Sequence, residues 1–174
     1  AVSANLDAPD GIVLRSADQK WVAQFRLDGF SLSRLEPYTS WKELRSKAVH
    51  LLDHYCAEVQ PARTIRLATR YINRIQIPQD ESFDKTFATT FVLPATLPQA
   101  VAGYLLRIVV PLEGDEAVAL LTQSLEGQSS ECIFDLDLFS ERTTGFKPSE
   151  IWARLDRLRD LKNELFFNSL TEAA

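Results

Sequence analysis

Apolar residues change their spacing in a fixed order along this chain: period two, a helical period, period two again, and a helical period to close. In residues 20–27, Trp21, Ala23, Phe25 and Leu27 alternate with other residues, which predicts a half-buried strand. Asp28-Gly29 then predicts a turn, and residues 30–35 read as the second arm of a hairpin. The chain therefore begins with antiparallel β-structure.

A capping box at Ser40 to Glu43 predicts the start of a long middle helix, because the serine oxygen and the glutamate can satisfy free amides of the first turn. Pro61 ends it. Further strands are predicted over residues 64–77, 104–112, 117–125 and 131–139, the last three as a meander. Pro94 and Pro98 indicate a loop with a short helix. Pro148 then begins a closing helix.

This order predicts an α+β fold with two layers. A mainly antiparallel sheet of about six strands would be packed by the middle helix and the C-terminal helix. Strands and helices do not alternate, which disfavours a Rossmann fold or a barrel. The 174 residues contain no repeat or linker and fit a single domain spanning 1–174.

Composition excludes several classes of protein. An apolar share of 45% and a charged share of 25% are those of an ordinary globular chain, and the longest apolar runs are too short to cross a bilayer. The amino end lacks a signal-peptide pattern, and Cys56 and Cys132 lack metal-type spacing, so we expect reduced thiols in a cytoplasmic protein. The net charge of −5 disfavours nucleic acid as a partner.

Catalytic and metal-binding patterns are absent from the sequence. The six glycines are scattered, which argues against a phosphate loop, and no G-x-S-x-G elbow is present. His50 and His54 have the i, i+4 spacing of metal ligands, but they project opposite the apolar stripe, and the chain has no third histidine. We therefore expect no catalytic residue, no metal and no cofactor.

The most informative segment is residues 66–75. In a strand, Arg66, Arg70 and Arg74 share one face, while Tyr71 and Asn73 lie on the other. Three arginines in register form a cationic stripe that could bind an anionic small molecule or an acidic protein surface. The alternative is a ladder of ion pairs with a neighbouring strand.

Asp135 and Asp137 are the candidate partners for such a ladder. They share one face of the strand at residues 131–139, and if that strand lies beside the arginines they would neutralise Arg70 and Arg74. The same two aspartates could instead form a carboxylate pair for acid–base or metal chemistry. Asn73, on the apolar side, is expected to be hydrogen-bonded and to fix the local backbone.

Several segments taken together resemble a sporadically distributed family of bacterial and archaeal proteins of uncharacterised function. The matching segments are Pro37-Tyr38-x-x-Trp41, Arg70-Tyr71-Ile72-Asn73-Arg74-Ile75, Phe134-Asp135-Leu136-Asp137-Leu138-Phe139, Leu158-Arg159-x-x-Lys162-Asn163-x-x-Phe166 and Ser169-Leu170-Thr171-Glu172. The resemblance implies an intracellular, single-domain protein and draws attention to Arg70, Tyr71 and Asn73. It implies no activity. Members of that family usually carry a further apolar strand before the matched region, and the resemblance implies that this chain lacks that strand.

Three functional hypotheses follow. The first is a non-catalytic binding or adaptor domain that presents the arginine-bearing face to an anionic ligand or an acidic partner. The second is an enzyme of unfamiliar type with a pocket around Asp135, Asp137 and Tyr71. The third is an accessory subunit of a multi-protein system. A second copy of the chain is a further candidate partner, which would make a homodimer.

Overall fold

The computed structural model describes residues 3–5, 11–77, 83–99, 101–126 and 130–171. The chain divides into two compact units, Ala1–Ala62 and Arg63–Ala174, and each has its own antiparallel sheet and its own helix. The prediction of an α+β fold with antiparallel sheets is confirmed. That the whole chain behaves as one domain stays a prediction.

The first unit contains a four-stranded sheet in the order β1-β2-β3-β4. The strands are β1 (Ser3–Asn5), β2 (Gly11–Arg15), β3 (Trp21–Arg26) and β4 (Gly29–Arg34). The predicted hairpin is β3–β4, in which Phe25 lies opposite Phe30 with ring centroids 5.2 Å apart.

The helix of this unit, α1, spans Trp41–Val59 and begins at the predicted cap. The Ser40 side chain accepts a hydrogen bond from the Glu43 amide at 3.2 Å, while the Glu43 carboxylate accepts from the Thr39 hydroxyl instead of from Ser40. Tyr55 lies on the buried face of α1 and donates to the Leu27 carbonyl at 3.4 Å. The apolar face of α1 therefore packs on the first sheet.

The second unit contains a four-stranded sheet in the order β6-β9-β8-β7 and a two-stranded ribbon of β5 and β10. The strands are β5 (Arg63–Thr64), β6 (Leu67–Gln76), β7 (Tyr104–Leu112), β8 (Ala117–Leu125), β9 (Glu131–Ser140) and β10 (Thr144–Gly145). Strands β7, β8 and β9 form the predicted meander, and β6 adds to its β9 side.

The closing helix, α2, spans Pro148–Ser169 and covers one face of this sheet. Four alternate residues of β9 are fully buried beneath it: Cys132, Phe134, Leu136 and Leu138. Leu158 and Leu161 of α2 join the same core, and the rings of Phe134 and Phe166 stack at 6.1 Å. No helix in the described part of the chain is long and apolar enough to cross a membrane.

The strands are divided between two main sheets instead of forming one sheet of about six strands. Each helix packs against the sheet of its own unit. The physical reason is that a period of two identifies a strand and its buried face, but it does not say which other strand will be its neighbour.

A substitution at Gly11 tests how closely β2 and β3 approach each other in the first sheet. A Cβ atom at Gly11 would lie 2.3 Å from the Phe25 carbonyl oxygen, whereas one at Gly29 would meet nothing within 4 Å. We expect Gly11→Ala to lower the free energy of unfolding by about 1–3 kcal/mol, as overpacking does, and the matched control Gly29→Ala to change it much less. Urea unfolding followed by tryptophan fluorescence measures both, and equal effects would contradict this packing.

Candidate ion-pair face

Strands β6 and β9 lie side by side and bring the predicted residues together. Arg70 is opposite Asp137, and Ile72 is opposite Asp135. The even-numbered residues of β9 are buried under α2, so these aspartates lie on the opposite side of the sheet. We call this side, which carries Arg66, Arg70, Ile72 and Arg74 as well as the odd-numbered residues of β9, the ion-pair face.

Each of the three arginines pairs with a carboxylate of β9. Arg70 donates three hydrogen bonds to Asp135, from Nε to Oδ1 at 3.0 Å and to Oδ2 at 3.1 Å, and from Nη2 to Oδ2 at 2.5 Å. The remaining two pairs are Arg66 Nη2 with Asp137 Oδ2 at 3.4 Å and Arg74 Nη1 with Glu131 Oε1 at 2.7 Å. The predicted ladder of ion pairs is therefore present.

The partners differ in part from those expected. Asp135 does neutralise Arg70, but Asp137 pairs with Arg66, and Arg74 pairs with Glu131. The reason is that each arginine reaches along the sheet to a carboxylate displaced from the residue directly opposite. Glu131 was not among the predicted partners, because it is the first residue of its strand. Alternate residues of a strand share a face, so Glu131 lies on the same side as Asp135 and Asp137.

The arginine is the outer member of every pair. The side-chain exposures are 46% against 20% for Arg66–Asp137, 58% against 17% for Arg70–Asp135, and 61% against 28% for Arg74–Glu131. Hydrogen bonding to Asp135 raises the pKa of Arg70. The Arg66 guanidinium also lies 4.6 Å from the centre of the Phe139 ring. The carboxylates therefore lie closer to the sheet and hold the guanidinium groups in place. The guanidinium groups form the more exposed part of the face.

Tyr71 and Asn73 lie on the other side of the sheet, as predicted. The amide of Asn73 donates to the Phe134 carbonyl at 3.0 Å, which ties β6 to β9. Tyr71 therefore faces α2, while Asp135 and Asp137 face away from it. The structure does not bring these three residues to one pocket.

The Tyr71 ring instead contacts Lys162 of α2, whose Nζ lies 3.9 Å from the ring centre. Burial lowers the pKa of Lys162, and the nearby Arg159 charge lowers it further. Two segments of the family resemblance, residues 70–75 and 158–166, therefore meet here. Sequence reasoning did not single out Lys162, although its position beside Leu161 places it at the margin of the apolar stripe.

The remaining candidates are dispersed. His50 and His54 are exposed on α1, and no group of three or more potential metal ligands occurs in the described ranges. Cys56 and Cys132 are both free, and Cys132 is fully buried. The thiol of Cys132 contacts the Tyr104 hydroxyl at 3.4 Å, and burial raises the pKa of both groups. This pair is part of the core.

No protein-family model, no curated protein and no solved structure matches this chain. Membership of the bacterial and archaeal family stays a prediction.

A double-mutant cycle tests what the Arg70–Asp135 pair contributes to stability. We expect a coupling free energy of up to about 1 kcal/mol between Arg70→Met and Asp135→Asn, because the arginine is largely exposed to solvent. The Arg157–Asp115 pair also joins both carboxylate oxygens through Nε and Nη2 and is the control, with an equal or weaker coupling expected. Urea unfolding of the single and double variants measures it. A coupling several times larger would make the ladder primarily a stabilising device.

The amine of Lys162 should titrate below the ordinary value of 10.5, because its charged form is partly removed from water. Folding lowers this pKa, so the charged amine disfavours the fold at neutral pH, and the cost falls as the pH rises through the folded pKa towards 10.5. NMR titration of labelled lysine Nζ measures it, with Lys162→Arg to assign the signal. Arg159→Gln should raise the pKa, and a wild-type value at or above 10.5 would contradict the placement.

Proposed function

We propose that this protein is a non-catalytic binding domain that presents the ion-pair face to an acidic protein surface. The observation that carries the proposal is that the arginine is the more exposed member of all three ion pairs. A partner approaching this face meets guanidinium groups before it meets carboxylates. The proposal includes a cytoplasmic location.

The paired arginines retain the capacity to bind a second carboxylate. A guanidinium carries five N–H donors, and the contacts of Arg66 and Arg74 with β9 each use one nitrogen. The existing pairs also hold the side chains in place, which reduces the rotamer entropy lost when a partner binds. An arginine fixed in this way is a better binding group than a mobile one.

The exposure of the charges on the face favours an acidic partner. Arg66, Arg70, Arg74 and Arg107 share this side of the sheet with Glu131, Asp135 and Asp137, and Glu141 follows β9 beside Pro111, Val118 and Phe139. These charges balance, in a chain whose net charge is −5, but the guanidinium group is the more exposed member of each ion pair. That exposure gives an acidic surface a preferred orientation, while the negative charge of the chain disfavours nucleic acid.

The size of the face favours a macromolecule over a small anion. Arg66 and Arg74 are eight positions apart, which corresponds to about 26 Å along an extended strand. Three exposed apolar side chains, Ile72, Leu105 and Val109, lie on the same side of the sheet. Arginine with interspersed apolar residues is a composition typical of protein interfaces.

Replacing the three arginines tests the proposal. The protein and its Arg66→Gln/Arg70→Gln/Arg74→Gln variant would be used as bait in lysate of the source cells, with retained proteins quantified by mass spectrometry. We expect acidic proteins retained by the wild type to fall about tenfold or more with the variant, since several charge-assisted contacts are lost. Binding of a retained protein, once purified, should weaken as salt is raised.

The control is Arg26→Gln/Arg142→Gln/Arg157→Gln. These three arginines are also exposed and ion-paired, so the control removes the same charge and at least as many ion pairs. It should retain partners as the wild type does, and thermal melting should show that both variants are folded. Equal retention by the wild type and the Arg66/Arg70/Arg74 variant would refute the proposal.

A further inference from the structure

Strand β6 is an edge strand of the second unit's sheet and is unusually suited to accept another strand. All ten of its residues, Leu67–Gln76, pair in continuous register with β9. On its other side, no strand pairs with it in the described part of the chain. Its sequence contains neither proline nor glycine. An edge of this kind presents a row of backbone donors and acceptors to a further strand.

The opposite edge of the same sheet differs. Strand β7 contains Pro111, which lacks a backbone N–H, and Arg107 near its middle. Proline and charged side chains on an edge are the devices by which proteins block unwanted pairing. The charged side chains of β6, in contrast, are already paired with carboxylates of its neighbour β9. The two edges are therefore not equivalent, and β6 is the one that favours addition.

The two sides of β6 specify what an added strand should carry. On the ion-pair face, the strand would run beside Arg70, Ile72 and Arg74, whose guanidinium groups favour acidic side chains. On the face towards α2 it would run beside the half-buried Leu67 and Ile75, which favour apolar side chains. Successive residues of a strand point to opposite faces.

We propose that the acidic partner binds as an extended segment in which acidic and apolar residues alternate, adding a fifth strand beside β6. This inference rests on the proposed function and names the form that the partner takes. Main-chain hydrogen bonds to β6 supply affinity, and the arginines supply specificity and register. The contact requires no rearrangement of the four-stranded sheet.

The test uses a fluorescein-labelled decapeptide of five Glu-Val repeats and two N-methylated versions, one methylated at every glutamate and the other at every valine. In an added strand, alternate residues direct their N–H groups towards β6, so only one of the two versions blocks pairing. By fluorescence anisotropy we expect one version to bind about tenfold or more weakly and the other to bind as the parent does. Hydrogen exchange should slow at alternate backbone amides of β6 when the parent peptide is added.

The outcomes separate this inference from the proposed function. If both N-methylated peptides bind as the parent does, but the Arg66/Arg70/Arg74 variant loses binding, then the ion-pair face binds without strand addition and the inference fails. Absence of saturable peptide binding up to about 1 mM also refutes the inference, while partner retention from lysate continues to support the proposed function. If that variant binds the peptide as tightly as the wild type, the arginines have no role and both proposals fail.

Discussion

The second unit depends on the alternation of side chains along β9. Cys132, Phe134, Leu136 and Leu138 are fully buried on one face, and the three carboxylates of the strand, at positions 131, 135 and 137, lie on the other. A slip of one residue would move the carboxylates into the core and the apolar residues out of it, so the register with both neighbouring strands is strongly specified. The buried face fixes α2, and the opposite face fixes the arginines of β6.

The arginine ladder follows from this constraint. Carboxylates on an inner strand are only partly hydrated, and they need hydrogen-bond donors that can reach them. Arginine suits this task because its planar guanidinium can bind a carboxylate through two nitrogens, as Arg70 does with Asp135. Pairs this exposed add little to stability, so their larger physical effect is to hold each guanidinium in one orientation. In the proposed function, these contacts orient the arginines that meet the partner.

The elements could be predicted from the sequence further than their arrangement could. The cap at Ser40 and the apolar spacing behind it give the bounds of α1, and the alternation in β6 and β9 correctly separates their two faces. The division into two sheets could not be predicted, because strand pairing depends on the whole topology. The Arg74–Glu131 contact requires the register between β6 and β9, and the Lys162–Tyr71 contact requires the docking of α2. Neither follows from local periodicity.

The exposure of guanidinium groups on an acidic chain also bears on specificity. At long range, a net charge of −5 would repel the proposed acidic partner and slow encounters in most orientations. Within about 8–10 Å at physiological salt, carboxylates of the proposed partner would meet the exposed guanidinium groups first, so attraction is confined to approaches that bring those carboxylates to the ion-pair face. The carboxylates beneath the arginines limit this attraction, since a wholly basic stripe would bind any polyanion. Under the proposed function, paired arginines bind anions in general less tightly and favour a partner whose acidic groups match the spacing of Arg66, Arg70 and Arg74.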